Sequence, residues 1–251
     1  MSTLEYIERK LSEDGALHFS LIDPEKQDPE KAGEIASKLE EMGTDLVMVG
    51  GSTGAFGTLL DETVKEIKRS CSLPVVLFPG GIGGVSKYAD AIFFMSLLNS
   101  RNPHYITGAQ AQASFLVMKS GLEVIPMGYV VIEPGGAVGF FGEANLIPRD
   151  KPEIACSYAL AAQLMGMKLV YLEAGSGARE SVPNEMIYLV KKSINIPLIV
   201  GGGIRNPSEA KEKVLAGADI VVTGTMLERK PELLRETITS VKTAGLSKLV
   251  K

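Results

Sequence analysis

Two stretches of the chain repeat one pattern. Residues 43–55 read GTDLVMVGGSTGA and residues 166–178 read GMKLVYLEAGSGA, at an offset of 123 residues. The same offset places PVVLFPGG (74–81) on PLIVGGGI (197–204), and a slightly larger one places DAIFF (90–94) on DIVVT (219–223). Most copies pair a short apolar run with a turn rich in glycine. A unit repeated in this way is typical of two half-barrels.

Eight short runs along the chain, most of them apolar throughout, have the length of buried strands of a parallel sheet. They are Leu17–Ile22, Asp45–Val49, Val75–Phe78, Ala91–Met95, Glu123–Ile132, Leu169–Leu172, Leu198–Val200 and Ile220–Val222. Segments of helical period separate them. The alternation predicts an α/β fold, a (β/α)₈ or TIM barrel that forms a single domain over residues 1–251. An open doubly wound sheet is the alternative, but no strand–GxGxxG–helix opens the chain.

The composition narrows the class of protein. Hydrophobic residues make up 45% and charged residues 22%, with a net charge of −4, so no general nucleic-acid surface is indicated. The first ten residues are too charged for a signal peptide, and no apolar run approaches the roughly 18 residues of a membrane span. We therefore expect a cytoplasmic protein with no transmembrane segment and no nucleic-acid partner.

The loops after the seventh and eighth strands predict a phosphate site. Gly202 and Gly203 follow the seventh strand, and Gly224 and Thr225 follow the eighth. Both loops lead into predicted helices, where free backbone amides and the helix dipole attract anions. Barrels commonly bind phosphate at these two loops.

Two carboxylates stand at predicted strand ends, where an unpaired charge is costly without a function. Asp23 either caps the next turn or binds Mg²⁺, which accepts one or two carboxylates and substrate phosphates; the Ser52 hydroxyl could add an oxygen. Glu173 replaces Gly50 at the matching point of the repeat, so the scaffold itself requires no carboxylate there. A role as general base or in positioning a hydroxyl follows.

Missing residue types exclude other chemistry. No lysine ends a predicted strand, which argues against a Schiff-base aldolase. The only histidines are His18 and His104, and without a His/Cys cluster a zinc or di-iron hydrolase is disfavoured. We expect His18 to be packed within the first strand.

Apolar residues cluster in the fourth and fifth strands and the loops that follow them. They are Phe93, Phe94, Met95, Leu97, Leu98, Tyr129, Val131, Phe140 and Phe141. Core packing accounts for most of the fourth strand, whereas two phenylalanines in a glycine-rich loop indicate more. The cluster predicts an apolar groove suited to a long hydrocarbon substrate.

Five motifs in these loops resemble the geranylgeranylglyceryl phosphate synthase family. They are LIDPEK (21–26), GGST (50–53), YLEAGSGA (171–178), GGGIR (201–205) and GT (224–225), and the resemblance runs over essentially the whole chain. It implies a Mg²⁺-dependent prenyltransferase that joins the 3-hydroxyl of sn-glycerol 1-phosphate to geranylgeranyl diphosphate. That reaction is the first ether-lipid step of archaeal phospholipid biosynthesis.

The resemblance also implies roles for individual residues. Asp23 and Ser52 would hold Mg²⁺ on the diphosphate, and Glu173 with Tyr171 would act on the glycerol hydroxyl. The positions implied for glycerol phosphate are Tyr171, Leu172, Glu173, Ala174, Gly175, Ser176, Gly177, Gly202, Gly203, Gly224 and Thr225. The family further implies a homo-oligomer, a dimer or a hexamer of dimers. Peripheral contact with a membrane would suit the lipid substrate or product.

Three alternatives stay open at this point. Related bacterial enzymes transfer a heptaprenyl chain, although the 134–149 loop and the NSRNPH segment (99–104) look more like the archaeal type. A phosphosugar isomerase would place an acid and a base on strands one and five, where strand five here ends in Glu133 and Pro134. A catalytically silent barrel is the third alternative.

Overall fold

Eight parallel strands close into a barrel in chain order. The structure, a computed structural model, describes residues 1–51, 55–224 and 231–250. The strands are β1 (Leu17–Ile22), β2 (Leu46–Val49), β3 (Val75–Leu77), β4 (Ala91–Leu97), β5 (Glu123–Val131), β6 (Leu169–Glu173), β7 (Leu198–Gly201) and β8 (Ile220–Thr223). β1 pairs with β8 as well as with β2. The predicted TIM barrel is confirmed.

Helices surround the barrel and close one end of it. In the described residues they are α1 (Thr3–Asp14), α2 (Pro29–Met42), α3 (Gly57–Ser70), α4 (Ala109–Ser120), α5 (Gly136–Phe141), α6 (Pro152–Leu164), α7 (Asn184–Ser193), α8 (Pro207–Ala216) and α9 (Pro231–Leu249). Pro24–Lys26 form a 3₁₀ turn and His104–Gly108 a π-helical turn. Ile7 of α1 packs with the inward-facing residues of the strands. α1 therefore covers the barrel end opposite the strand carboxyl termini.

Alternate strand residues face the barrel interior and the helices, because side chains alternate along a strand. Phe19, Met48 and Tyr171 belong to the interior cluster. Val47 and Leu172 pack outward against helices. Burial on both faces explains why most of these strands are apolar throughout, and each fully buried aliphatic side chain contributes about 1.5–3 kcal/mol.

The strand ends decide which functional side chains face inward. β6 continues one residue beyond its predicted end and includes Glu173, so Glu173 and Tyr171 lie two residues apart on the same, inner face. β4 continues to Leu97, two residues beyond its predicted end, and β5 ends one residue earlier, at Val131. None of the described helices combines the length and the apolar character that crossing a bilayer requires.

His18 is packed within β1, as expected. It is fully buried, with Nδ1 2.8 Å from Thr44 Oγ1 and Nε2 2.9 Å from Thr223 Oγ1. Thr44 Oγ1 donates to the His18 carbonyl at 3.0 Å, so a neutral ring donating from Nδ1 and accepting at Nε2 satisfies all of these groups. Burial, with a smaller effect of Lys242, lowers the pKa of His18 to about 3.

We expect this histidine to make the stability depend on pH. Between its unfolded pKa near 6.5 and its folded pKa of about 3, the unfolded chain binds a proton that the folded chain does not. The free energy of unfolding should therefore fall with falling pH, by at most about 1.4 kcal/mol per unit from this group. The free energy of unfolding, measured with urea at pH 7 and at pH 5, should change less between these two pH values in His18→Gln than in the wild type.

Ser20→Ala is the matched control. It removes a hydroxyl that lies 3.1 Å from Thr44 Oγ1 in the same buried cluster, but no titrating group. The control should keep the wild-type slope even if its stability is lower. If the free energy of unfolding of His18→Gln kept the wild-type dependence on pH, the lowered pKa of His18 would be contradicted.

Candidate active site

Two adjoining cavities lie at the carboxyl ends of the strands. The larger has a volume of about 550 Å³ and the smaller about 130 Å³. Leu21, Glu173, Ser176 and Gly224 line both. Glu173 is thus at the junction of the two cavities, where a group bound in one would meet a group bound in the other.

The larger cavity is an apolar groove. From the barrel mouth it reaches Phe94, which faces the helix layer, and Ala113 and Val117 of α4. The groove therefore continues along the outer side of β4 beneath α4. Its polar lining residues on this side include His104 and Gln110.

The groove contains part of the predicted apolar cluster. Phe93, Phe94, Met95, Leu97, Tyr129 and Phe141 line it. Leu98 and Val131 do not, and both pack within the core. Phe140 lies on α5 with 79% of its surface exposed, beside the Phe141 ring. Sequence reasoning found the groove but not its course under α4.

The smaller cavity, which we call the anion pocket, is lined by groups that bind anions. Gly202, Gly203 and Gly224 line it together with Arg205. Arg205 Nη2 donates to the Ala178 carbonyl at 2.7 Å, which ties the loop after β6 to the loop after β7. Backbone at glycines and one guanidinium suit a phosphate. The predicted phosphate residue Thr225 lies outside the described residues.

The Glu173 carboxylate is buried between hydrogen-bond donors. The Gly175 N–H donates to Oε1 at 2.6 Å, and the Tyr129 hydroxyl donates to Oε2 at 3.3 Å. The Tyr171 hydroxyl lies near this carboxylate and favours its charged form. Burial raises the pKa of Glu173, and these donors oppose the shift without cancelling it. A carboxylate with a raised pKa is a better proton acceptor, which suits a general base.

The two phenols remain donors. Burial, reinforced by the nearby Glu173 charge, raises the pKa of Tyr129 and of Tyr171 well above the ordinary value. Both therefore keep their protons near neutral pH. The Tyr171 hydroxyl occupies the space that a Cβ at Gly201 would need. Glycine at the end of β7 is thus required by the position of this phenol.

The other predicted substrate positions divide into three groups. Ser176 and Gly177 line the anion pocket with Tyr171. Leu172 and Ala174 face the helices and line neither cavity, and Gly175 acts on Glu173 through its amide. The structure thus places Tyr171, Ser176 and Gly177 at the site, whereas the side chains of Leu172 and Ala174 lie on the outer side of the barrel wall.

Asp23 lines the groove and also caps the adjoining turn. The Glu25 N–H donates to Asp23 Oδ1 at 3.1 Å, and Gly51 lies directly against the carboxylate. Sequence reasoning treated capping and metal binding as alternatives, but one side chain in this position is compatible with both. No cluster of three or more acidic, histidine or cysteine ligands exists in the described part of the chain. Ser52 lies outside the described residues.

Comparison with known proteins identifies the family. The PcrB family matches residues 7–243. The chain belongs to the PcrB family. The geranylgeranylglyceryl phosphate synthase of Thermococcus kodakarensis is 62% identical over 224 residues, covering 89% of this chain and 88% of the relative. That of Thermococcus sibiricus is 61% identical over 228 residues, covering 91% and 89%.

A solved structure agrees with this membership. It is the Thermoplasma acidophilum (S)-3-O-geranylgeranylglyceryl phosphate synthase in complex with its substrate sn-glycerol-1-phosphate. The TM-score is 0.93 at 46% identity, covering 97% of this chain and 99% of that one. The resemblance seen in the loop motifs is confirmed at the level of the family.

For three site residues of this PcrB-family protein, the sequence did not predict the contact that the structure shows. Tyr129 bonds to Glu173, Lys26 lines the mouth of the groove, and Arg205 lines the anion pocket. A signal for Tyr129 existed, since it and Tyr171 are tyrosines that pair across β5 and β6. Only the register of two strands makes that signal visible. Lys26 and Arg205 end the motifs LIDPEK (21–26) and GGGIR (201–205), but the sequence predicted no individual role for either residue.

We expect Tyr129→Phe to raise the pKa of Glu173 further. Loss of the hydroxyl removes a donor that favours the charged carboxylate and leaves the ring in place. A titration followed by NMR of ¹³C-labelled glutamate side chains would measure the shift without any assay of activity. The control is Tyr6→Phe, whose hydroxyl donates to the distant Asp45 carbonyl. An unchanged or lower Glu173 pKa in Tyr129→Phe would contradict the hydrogen bond.

Proposed function

We propose that this protein is a geranylgeranylglyceryl phosphate synthase that transfers the prenyl group of geranylgeranyl diphosphate to the 3-hydroxyl of sn-glycerol 1-phosphate. The observation that carries the proposal is the position of Glu173 at the junction of an anion pocket and an apolar groove. The relatives at about 60% identity bear this enzyme's name, and the Thermoplasma acidophilum relative has sn-glycerol-1-phosphate bound.

The two cavities fit the two substrates. The phosphate of glycerol phosphate would be bound in the anion pocket by the backbone at Gly202, Gly203 and Gly224, near Arg205. Its far hydroxyl would then reach Glu173. The hydrocarbon chain of the second substrate would occupy the apolar groove, where burying each CH₂ is worth about 0.8 kcal/mol. Anchoring both partners beside one carboxylate brings the reacting atoms together.

The reaction needs one proton acceptor and no covalent intermediate. Glu173 would take the proton of the 3-hydroxyl as the oxygen forms its bond to C1 of the prenyl group. The C1–O bond to diphosphate breaks, and its electron pair leaves with the diphosphate. The Gly175 amide and the Tyr129 hydroxyl donate to the carboxylate and hold it in one orientation. The apolar walls keep competing water from C1.

Mg²⁺ is part of the proposal. Asp23 and Ser52 would hold it, because a single carboxylate at the mouth of the groove together with substrate phosphate oxygens is a donor set that Mg²⁺ accepts. When bound, it would offset the negative charge of the diphosphate. Lys26 also lines this end of the groove and would contribute a second positive charge.

An assay with both substrates tests the function. Labelled sn-glycerol 1-phosphate, geranylgeranyl diphosphate and Mg²⁺ should yield a labelled lipid on thin-layer analysis, and the sn-3-phosphate enantiomer should react far more slowly. Heptaprenyl diphosphate in a parallel reaction tests the longer chain. An isomerase is disfavoured because Glu133, after β5, lines neither described cavity. Absence of any lipid product would refute the proposal.

Glu173→Gln should lower kcat by about 10²-fold or more, the usual scale for loss of a general base. The amide keeps the shape of the side chain, so binding of glycerol phosphate by calorimetry should change little. Glu185→Gln, an exposed glutamate in the first turn of α7, is the control and should retain normal turnover. Near-normal turnover of Glu173→Gln would remove this residue from the mechanism.

Asp23→Asn should raise the Mg²⁺ concentration required for half-maximal activity. The amide retains an oxygen but loses the charge that attracts a hard cation. Asp28→Asn serves as the control, because Asp28 is exposed, lies five residues further on and makes no side-chain cap. Identical Mg²⁺ titrations of wild type and Asp23→Asn would show that Asp23 does not hold the metal.

We also propose that the protein is a homo-oligomer. α4 exposes Phe115, Leu116 and Met118, with exposed fractions of 79%, 49% and 75%. Adjacent apolar side chains on an exposed helix favour a protein interface. Sedimentation at micromolar concentration should give a mass above the 26.8 kDa of one chain, and Phe115→Glu should reduce it. A wild-type mass of one chain would contradict the proposal.

A further inference from the structure

Three aromatic rings form a cluster inside the mouth of the barrel. The Phe78 ring centre lies 5.6 Å from that of Tyr129 in an edge-to-face arrangement and 5.7 Å from that of Tyr171 in a stacked one. Tyr129 and Tyr171 are 5.1 Å apart, edge to face. The Tyr129 hydroxyl donates to Glu173 and the Tyr171 hydroxyl lies near that carboxylate, whereas the Phe78 side chain has no polar atom. The proposed reaction gives the Phe78 ring no role beyond lining the groove.

The cluster lies between the two ends of the proposed site. On one side, Gly50 packs against the backbone and Cβ of Phe78, and its neighbour Gly51 packs against the Asp23 carboxylate. On the other side, Tyr129 bonds to Glu173. Phe78 is only partly buried and lines the apolar groove, as Tyr129 does. Asp23 and Glu173 are thus connected through the aromatic cluster by direct contacts.

The reacting carbon must pass through this region. C1 of the prenyl group begins bonded to the diphosphate, which the proposed function places at Asp23, and ends bonded to the hydroxyl oxygen beside Glu173. Rupture of the C1–O bond of an allylic diphosphate sends the electron pair to the leaving group and leaves positive charge shared by C1 and C3. Such a charge in an apolar groove requires a stabilising partner.

We infer that the rings of Phe78 and Tyr129 stabilise the allylic cation that develops as the C1–O bond breaks, an inference that rests on the proposed function. The face of an aromatic ring attracts a cation, and more strongly where water is excluded. The Phe78 ring also stabilises the charge without capturing it, because it offers no nucleophilic oxygen to the carbon. Phe78 suits this task better than a second carboxylate, which would form an ester with the prenyl group.

A series of fluorinated phenylalanines at position 78 tests the inference. One, two and three fluorine atoms on the ring weaken its negative face stepwise with little change in size. We expect log kcat to fall in proportion to the calculated cation affinity of the ring, by about tenfold over the series. KM for sn-glycerol 1-phosphate should stay constant. The same series at Phe19, which is buried in the barrel interior and lines neither cavity, should leave kcat unchanged.

A binding measurement gives a second result that does not need turnover. The probes are an analogue of the prenyl chain with an ammonium nitrogen at C3, added with inorganic pyrophosphate, and its uncharged carbon counterpart. Calorimetry should show that the wild type prefers the ammonium analogue and that fluorination at position 78 reduces this preference. A preference that fluorination leaves unchanged, or a flat kcat series in an active enzyme, would overturn the inference alone. Absence of ether product from the wild type would instead count against the proposed function.

Discussion

The buried carboxylate of Glu173 constrains the rest of the site. A carboxylate taken out of water is stable only when donors replace its hydration, and here the Gly175 amide and the Tyr129 hydroxyl do so. Gly202 has a φ of +80°, and a Cβ there would collide with Glu173 Oε1. Gly202 therefore leaves room for the carboxylate and also lines the anion pocket.

The same constraint explains the raised pKa. The donors stabilise the charged form less than burial destabilises it, so the carboxylate is held as a stronger base than a glutamate in water. A fully solvated glutamate would ionise more easily and accept a proton less readily. A site without the phenols would leave the group protonated more often. Burial with an incomplete set of donors thus raises the basicity of the carboxylate, which favours proton acceptance.

Much of the fold could be predicted from the sequence because its strands are buried on both faces and so are marked by apolar runs. The repeat also indicated Glu173 as a functional residue, because the second copy has a carboxylate where the first copy has Gly50. Tyr129 could not be found in this way, because its role depends on the register that pairs it with Tyr171 on the next strand. The sequence also did not show that the Leu172 side chain points toward the helices. Successive side chains of a strand point to opposite faces, so this depends on the exact position of the residue in β6. The course of the groove under α4 depends on how a helix packs, which no local pattern records.

Comparison of the two halves of the barrel shows how one scaffold makes two different cavities. The offset that places β2 on β6 and β3 on β7 places Phe78 on Gly201. In the second half, the Tyr171 hydroxyl fills the space at Gly201, so the last residue of β7 can carry no side chain. In the first half, Met48 stands in place of Tyr171 and packs in the barrel interior, and the chain after β3 carries the Phe78 ring, which stacks on Tyr171. The second half of the barrel therefore has glycine at this position, beside the polar pocket. The first half has a phenylalanine ring there, which forms part of an apolar wall. Glu173 lies where the polar and the apolar surfaces meet.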